Sequence, residues 1–294
     1  MATQTSSLGN LEYAQNVIIN QAKFTAESEA PCKGLVNHFK LSKGQSTLRL
    51  PKVGQATMDN LVEGIDIVQE QDIGLSYQDL VTGEVGGKFI LTRKLMEQFN
   101  EDVFKLVGKQ MGDAMARKTD EDIIALFSAL NGGTTLGADN VNFSLRNATA
   151  VVNFAFAHLY PSPIKIVMHP NALGWLTRSA AGIGASYYQG IISEEQADTL
   201  RKFWKVNLNG VNMYWDANID KIAGTDSGYG AIFGSNCMAY LSGWEPEVER
   251  EKDISLRAWE VVMTTDYGVY EIDDAYGAPL RYEIGDMSTS STST

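Results

Sequence analysis

One stretch, Thr92 to Asn131 (TRKLMEQFNEDVFKLVGKQMGDAMARKTDEDIIALFSALN), constrains the fold more than any other. Leu95, Phe99, Val103, Leu106, Val107, Met111, Ala114, Met115, Ile123, Phe127 and Leu130 recur at spacings of three and four, which predicts one apolar face of a single long helix. Thr92 is placed to cap its start, and Asn131-Gly132-Gly133 to end it. At 1.5 Å per residue such a helix spans roughly 60 Å. A compact globule of this length has a diameter near 50 Å, on the order of twice its radius of gyration. The rod is therefore expected to protrude and to need neighbours. Two features oppose a continuous rod. Gly108 and Gly112 each cost about 1 kcal/mol in a helix interior, and Thr119 with Asp122 has the form of a cap for a second helix.

The charge narrows the range of partners. Over 294 residues the formal net charge is -12, which repels phosphate backbones and anionic headgroups and argues against a general nucleic-acid binder. Cys32 and Cys237 are too few for a zinc cluster or a disulfide framework, fit a reducing compartment, and read as small buried hydrophobes. The start of the chain lacks a basic segment followed by an apolar run, and 18 apolar residues never occur together. These features point to a soluble protein made in a cytosol.

Around the long helix the chain changes texture. Residues 1–10 are polar and read as a flexible arm, and MSTSSTST from Met287 reads as a tail that does not pack. From Thr47 to Leu91 short alternating runs (TLRLPKV, NLVEGIDIV, IGLSYQDLV, KFILT) predict a β-hairpin region without an obvious core of its own. Ala148 to Tyr160 is a predicted helix ended by Pro161, KIVMH from Lys165 a buried strand, and Asn171 to Ser179 a short helix. VNMYWD, GAIFG and MAYLSG read as short strands, Ile254 to Met263 as a strand of strong β-propensity, and GVYEI and LRYEI as the last two. Strands and helices are segregated in blocks, so the class is α+β.

Few residues invite chemistry. His38, His158 and His169 are far apart, with no spacing that puts two on one helical face, and read as packing residues. Asp216, Asn218 and Asp220, with Asp226 nearby, supply the first oxygen positions of a calcium loop. Lys221 stands where the turn glycine belongs and Ser227 where the bidentate Glu belongs, so an ordinary acidic turn is expected. Glu97, Glu101, Asp102, Asp113, Asp120, Glu121 and Asp122 are interleaved with lysines and arginines, the pattern of a solvated or partner-facing ion-pair surface. Trp175, Trp204, Trp215, Trp244 and Trp259 all follow the long helix and read mostly as core anchors. No catalytic residue, cofactor site or metal site is assigned.

The order of these pieces resembles the major capsid protein of tailed bacteriophages. The resemblance is carried by Glu63-Gly64 in NLVEGIDIV, Asp72, Tyr77, KFILTRKLMEQFNED, PIKIVMHPNALGWL, GYGAIFGSNCMAYLSG and RAWEVVMTTDYGVYEIDDAYGAPL, and it covers roughly residues 11–284. It implies an N-terminal arm (1–45), an extended hairpin loop (46–91), a peripheral domain with a spine helix (92–144), an axial domain (145–240), closing strands of the peripheral domain (241–286) and a tail (287–294). It also implies a homo-oligomer of hexamers and pentamers closing as an icosahedral head around non-specifically packaged double-stranded DNA, with a portal, no membrane, and assembly in a host cytoplasm. A decoration protein stays open. With the arm beginning at Met1, a separate scaffolding protein is expected. The subunit-interface candidates are Glu63, Asp72, Tyr77, Lys88, Arg93 and Lys94, with the loop reaching over a neighbour. The helix face of Leu95, Phe99, Val103 and Phe127 is expected to pack near Trp259 and Val261. Some relatives form a covalent Lys-to-Asn link; Lys52 and Lys88 lie in the loop region, and the partner Asn stays unassigned. Alternatives are an encapsulin-like nanocompartment shell protein and, from a different class, a soluble carboxylate-dependent hydrolase.

Overall fold

The structure is a computed structural model, and it describes residues 31–53, 58, 60, 63–64, 74–92, 102–187 and 205–287. In chain order the elements are β1 (Asn37–Lys40), β2 (Thr47–Val53), β3 (Leu75–Val81), β4 (Gly83–Thr92), α1 (Asp102–Phe127), β5 (Leu136–Gly137), α2 (Leu145–Ala157), β6 (Lys165–Met168), α3 (Pro170–Tyr187), β7 (Lys205–Leu208), β8 (Val211–Trp215), β9 (Ser227–Phe233), β10 (Met238–Asp253), β11 (Ala258–Glu271) and β12 (Gly277–Glu283). The arm up to residue 30, Asp72, Arg93, Lys94, Leu95, Phe99, Trp204 and the last seven residues lie outside the described residues.

Helix α1 runs unbroken through Gly108, Gly112 and Thr119. Thr119 does not start a second helix, because its hydroxyl donates back to the Met115 carbonyl (2.9 Å), a bond that needs the helix to continue. Thr92, expected as the cap, is instead the last residue of β4, paired with Ala258. The helix ends at Phe127, ahead of Asn131, and the chain then turns through Gly132 in the left-handed region (φ 59). The described helix is on the order of 39 Å long. From Met111 to Phe127 it does not protrude: Met111, Met115, Ile123 and Phe127 are buried, and the helix lies against β11 and β9. Phe127 meets Phe233 of β9 (ring centroids 6.2 Å apart), not the region of Trp259 and Val261 where it was expected.

Two sheets flank this helix. The first has the order β1-β10-β11-β4, with β1 parallel to β10 and the other pairs antiparallel. Its centre is a long hairpin whose register runs from Met238↔Glu271 to Asp253↔Ala258. Sequence reading placed a short strand at MAYLSG and started the next at Ile254. The structure corrects both: β10 continues through Asp253, and Ile254 to Arg257 form the turn. The Asp253 carboxylate accepts from the Ser255 N–H (2.8 Å), the Ser255 hydroxyl (2.6 Å) and the Leu256 N–H (3.1 Å), and this local turn overrides the β-propensity of Ile254. The second sheet has the order β5-β12-β9-β6-β8-β7. Strand β12 pairs with β9 along its length, so the strands after residue 240 contribute to both sheets.

Helix α2 starts at Leu145 because Ser144 caps it, accepting from the Asn147 N–H (3.3 Å). The expected short helix from Asn171 runs on to Tyr187. Strand β6 is buried, as its apolar run predicts. The tryptophans are a correction: Trp215 and Trp244 are 38% and 42% exposed, and Trp175 and Trp259 are half-buried.

Candidate assembly surface

Strands β2 and β3 form a separate two-stranded ribbon, in register from Thr47↔Val81 to Val53↔Leu75. Its root is tied to the long hairpin. Leu80 is fully buried with Ala239 and Leu241, and Phe39, Leu48, Leu50, Tyr270 and Ile272 complete a small second core. The Val81 N–H donates to the Tyr270 hydroxyl (3.1 Å), which donates to the Val81 carbonyl (2.5 Å). Thr82 donates to Asp266 (2.6 Å). Gly243 makes this possible, since a Cβ there would overlap the Asp266 carboxylate that holds Thr82. Lys52 on β2 reaches Asp273 beyond the end of β11 (2.8 Å).

Beyond the root the ribbon is uncovered. Leu75 through Asp79 of β3 are exposed at every position, although successive side chains point to opposite faces, while on β2 Leu48 and Leu50 turn partly into the second core. Leu75 and Tyr77 are each 55% exposed and Met58 is 94% exposed. Arg49 crosses the ribbon to Asp79 as a two-pronged ion pair (2.6 and 2.8 Å) and lies over the Tyr77 ring (5.6 Å). The guanidinium beside it holds the Asp79 carboxyl below the usual carboxylate range. An isolated two-stranded ribbon is marginal in water. This one is built to be held at the root and to present apolar and polar surface at the far end.

The interface candidates fall in three places. Glu63 and Gly64 occupy an exposed turn, with Gly64 at φ 85. Tyr77 lies on the uncovered part of β3. Lys88 lies on the edge strand β4 and ion-pairs with Glu260 of its neighbour β11 (2.5 Å). Sequence reading missed Val81, Thr82, Asp266 and Tyr270. The available signal was Arg49 in TLRLPKV against Asp79 in LSYQDLV, opposite charges at mirrored places in two adjacent runs.

Edge strand β4 also borders a groove of about 250 Å³, lined by Gly86, Gly87, Phe89, Met111, Met115 and Met263. The outer face of the long sheet carries Glu247, Glu249 and Glu251 at alternate, exposed positions of β10, with Glu260 beside them on β11. The lone lysine facing them on β4 is Lys88.

The histidines are engaged with backbone. His38 Nε2 lies 2.7 Å from the Lys33 carbonyl, His158 stacks on Phe154 (4.0 Å) and approaches its carbonyl (2.8 Å), and His169 Nδ1 accepts from the Asn171 N–H (3.2 Å). Lys118 and Asp122 form the expected i,i+4 ion pair on α1 (2.6 Å). The acidic helix and the acidic turn each hold one exception. Asp120 of α1 and Asp216 after β8 are buried, and they meet Cys32. Cys32, Asp120 and Asp216 each offer one donor atom, and these lie within 4.8 Å of one another. Among the described residues no other His, Cys, Asp or Glu joins them. The three are 1%, 0% and 2% exposed, and three side-chain donors fall short of the four that tetrahedral zinc and the six or more that hard divalent ions take.

The family model described as phage capsid protein matches residues 78–278. Among solved structures, the chain is similar to the capsid asymmetric unit of cyanophage Pam1 at 12% identity, covering 84% of this chain and 88% of that chain with a TM-score of 0.66. It is similar to a structure from Mycobacterium phage Che8 at 16% identity, covering 80% and 84% with a TM-score of 0.60. A virus-like particle from Pyrococcus furiosus is matched at 10% identity, over 92% of this chain and 99% of that one, with a TM-score of 0.58. At such identities the likeness is one of fold. No curated protein matches the chain in sequence.

Proposed function

The chain belongs to the phage capsid protein family, and from that premise we propose that its copies close as rings of five and six into an icosahedral head around double-stranded DNA. A structural shell protein needs many modest contacts per subunit rather than one strong one, because simultaneous engagement multiplies them. The observation that carries the reading is the β2–β3 ribbon, firmly rooted yet exposed at every β3 position from Leu75 to Asp79. In the shell the loop of residues 46–91 lies over a neighbouring subunit, apart from β4, which is seated in the chain's own four-stranded sheet. Glu63, Asp72, Tyr77 and Lys88 on the loop, with Arg93 and Lys94 just after it in sequence, are the contact residues. The remaining parts are an arm (1–45), peripheral segments (92–144 and 241–286), an axial segment (145–240) and a tail (287–294). A separate scaffolding protein guides closure, a portal occupies one vertex, and assembly takes place in the host cytoplasm. The acidic charge lets the inner surface tolerate packaged DNA rather than grip it.

Expression of the full chain followed by size-exclusion chromatography and electron microscopy tests this. Megadalton shells, or rings that assemble into them when a scaffolding protein is supplied, are expected. A stable monomer that stays monomeric in both settings refutes it. A second reading, a nanocompartment that holds protein instead of DNA, is favoured by the nearly full-length likeness to the virus-like particle from Pyrococcus furiosus. Nuclease-resistant DNA inside purified particles decides for the phage head, and cargo protein without DNA decides for the compartment.

A further inference from the structure

The Cys32–Asp120–Asp216 cluster joins three parts of the chain that are distant in sequence: the segment leading into β1, the middle of α1 and the loop after β8. Its hydrogen bonds are nearly complete. Cys32 Sγ donates to Asp216 Oδ2 (3.0 Å), and the Asn218 N–H donates to Asp216 Oδ1 (2.8 Å). The Asn218 side-chain amide donates to Asp120 Oδ2 (3.4 Å), and the Lys33 backbone N–H also serves the Asp120 carboxyl. One atom is left over. Asp120 Oδ1 is buried and has no donor among the described residues, while the neighbouring group is the second carboxylate.

Two carboxylates in contact and out of water require a positive charge or a proton between them. Among the described residues, the groups that face them come from three parts of the chain. From the first segment come the Cys32 thiol, which burial and the two aspartates push well above its usual range, and the backbone of Lys33, whose ammonium instead lies over the Tyr240 ring (4.9 Å). From the six-stranded sheet come Asn218 and His169; burial holds His169 below its usual range, with Asp216 and Asp286 pulling upward and Lys221 downward. From α1, Lys118 is turned to Asp122. A cation is disfavoured by the three-donor count. We propose that Asp120 and Asp216 share a single proton, and that this proton is a pH-sensitive latch holding α1 to the six-stranded sheet and to the segment before β1.

Burial and the Asp216 charge push the Asp120 carboxyl up to about 8. An acid whose value is raised on folding stabilises the folded chain least where it must ionise. The latch is therefore at full strength in acid, weakens as pH rises from about 4, and levels off above about 8. Between about pH 6 and pH 9 the unfolding equilibrium constant rises by roughly a hundredfold from this group alone.

The test uses the purified full-length chain. Infrared difference spectra are expected to show the carbonyl stretch of a protonated carboxylic acid near neutral pH, lost in Asp120→Asn. Urea unfolding is expected to weaken from about pH 6 to pH 9 by up to the hundredfold above. Asp120→Asn keeps an acceptor for Lys33 and Asn218 and places an amide donor toward Asp216, so it is expected to flatten that slope and to be more stable than the parent at the alkaline end. The proposal is overturned if the parent shows no protonated carboxyl near neutral pH, or if the variant keeps the parent's slope. Stoichiometric metal in the purified protein, with stability lost to a chelator, also overturns it by putting a cation where the proton is placed. None of these outcomes depends on whether the chain forms shells.

Discussion

Leu80→Ala separates the root of the ribbon from its free end. Leu80 is fully buried, sealed by Ala239 and Leu241, which are 1% and 0% exposed. Removing three carbons costs roughly 2.4 kcal/mol of transfer free energy at about 0.8 kcal/mol per carbon. The pocket walls belong to the paired strands β3, β10 and β11, so collapse is limited, and a residual void of roughly 50 Å³ adds about 1.2 kcal/mol. The total, between about 3 and 4 kcal/mol, lies within the range for buried Leu→Ala changes. In a cooperative unfolding of 294 residues it lowers Tm by roughly 5–6 °C, at an unfolding entropy of about 2.1 cal/mol/K per residue. If the ribbon opens alone, the same free energy appears as faster amide exchange in Thr47–Val81. Tyr77→Ala is the counterpart: its ring is 55% exposed and loses mainly the Arg49 contact, worth about 0.5–1 kcal/mol. It is expected to leave Tm nearly unchanged and to reduce particle yield on size-exclusion chromatography. Parent-like melting and exchange in Leu80→Ala refute the anchored root, and parent-like particle yield in Tyr77→Ala refutes the interface.

Three further changes probe other parts. Phe127→Ala, at a fully buried ring against Phe233, is expected to cost about 3–5 kcal/mol in urea unfolding, and a loss under about 1 kcal/mol would mean that α1 does not seat on β9. Gly243→Ala displaces Asp266 and breaks its bond to Thr82; the expected cost is about 1–3 kcal/mol, whereas a change under about 0.5 kcal/mol would show that Asp266 turns away freely. Arg49→Ala removes an exposed ion pair, so melting stays as in the parent while shell assembly weakens, and the difference shrinks as salt is raised. Because Asp79 is depressed on folding, the support Arg49 gives the ribbon is present above the ordinary carboxylate range and lost as pH falls through the depressed value; a pH-independent assembly difference contradicts the pairing.

What the sequence reveals depends on how far apart the cooperating residues lie. The helix through Gly112 and Thr119 is legible because its apolar residues repeat locally, and so is the uniform apolar run of β6. Strand β10 is not, because EPEVEREKD reads as a solvated charge run. In the sheet the alternation separates: Val248 is buried, Arg250 and Lys252 each lie over the Trp259 ring (5.9 Å), and the acids face outward. Tyr77 and Glu63 are legible as loop residues. The root is not, because Tyr270 holds Val81 from 189 positions away. Asp120 looks like its acidic neighbours on α1 until Cys32 and Asp216, 184 residues apart, close around it.

The pairing of β1 with β10 fixes an order of events during synthesis. Asn37 meets Ala239, and the ribbon root waits for Tyr270, so neither can be finished until nearly the whole chain has left the ribosome. At roughly 5–20 residues per second, some 200 residues of delay amount to about 10–40 s in which the nascent ribbon has no seat. Until Tyr270 emerges, a half-made chain lacks the seated ribbon that is proposed to contact a neighbour.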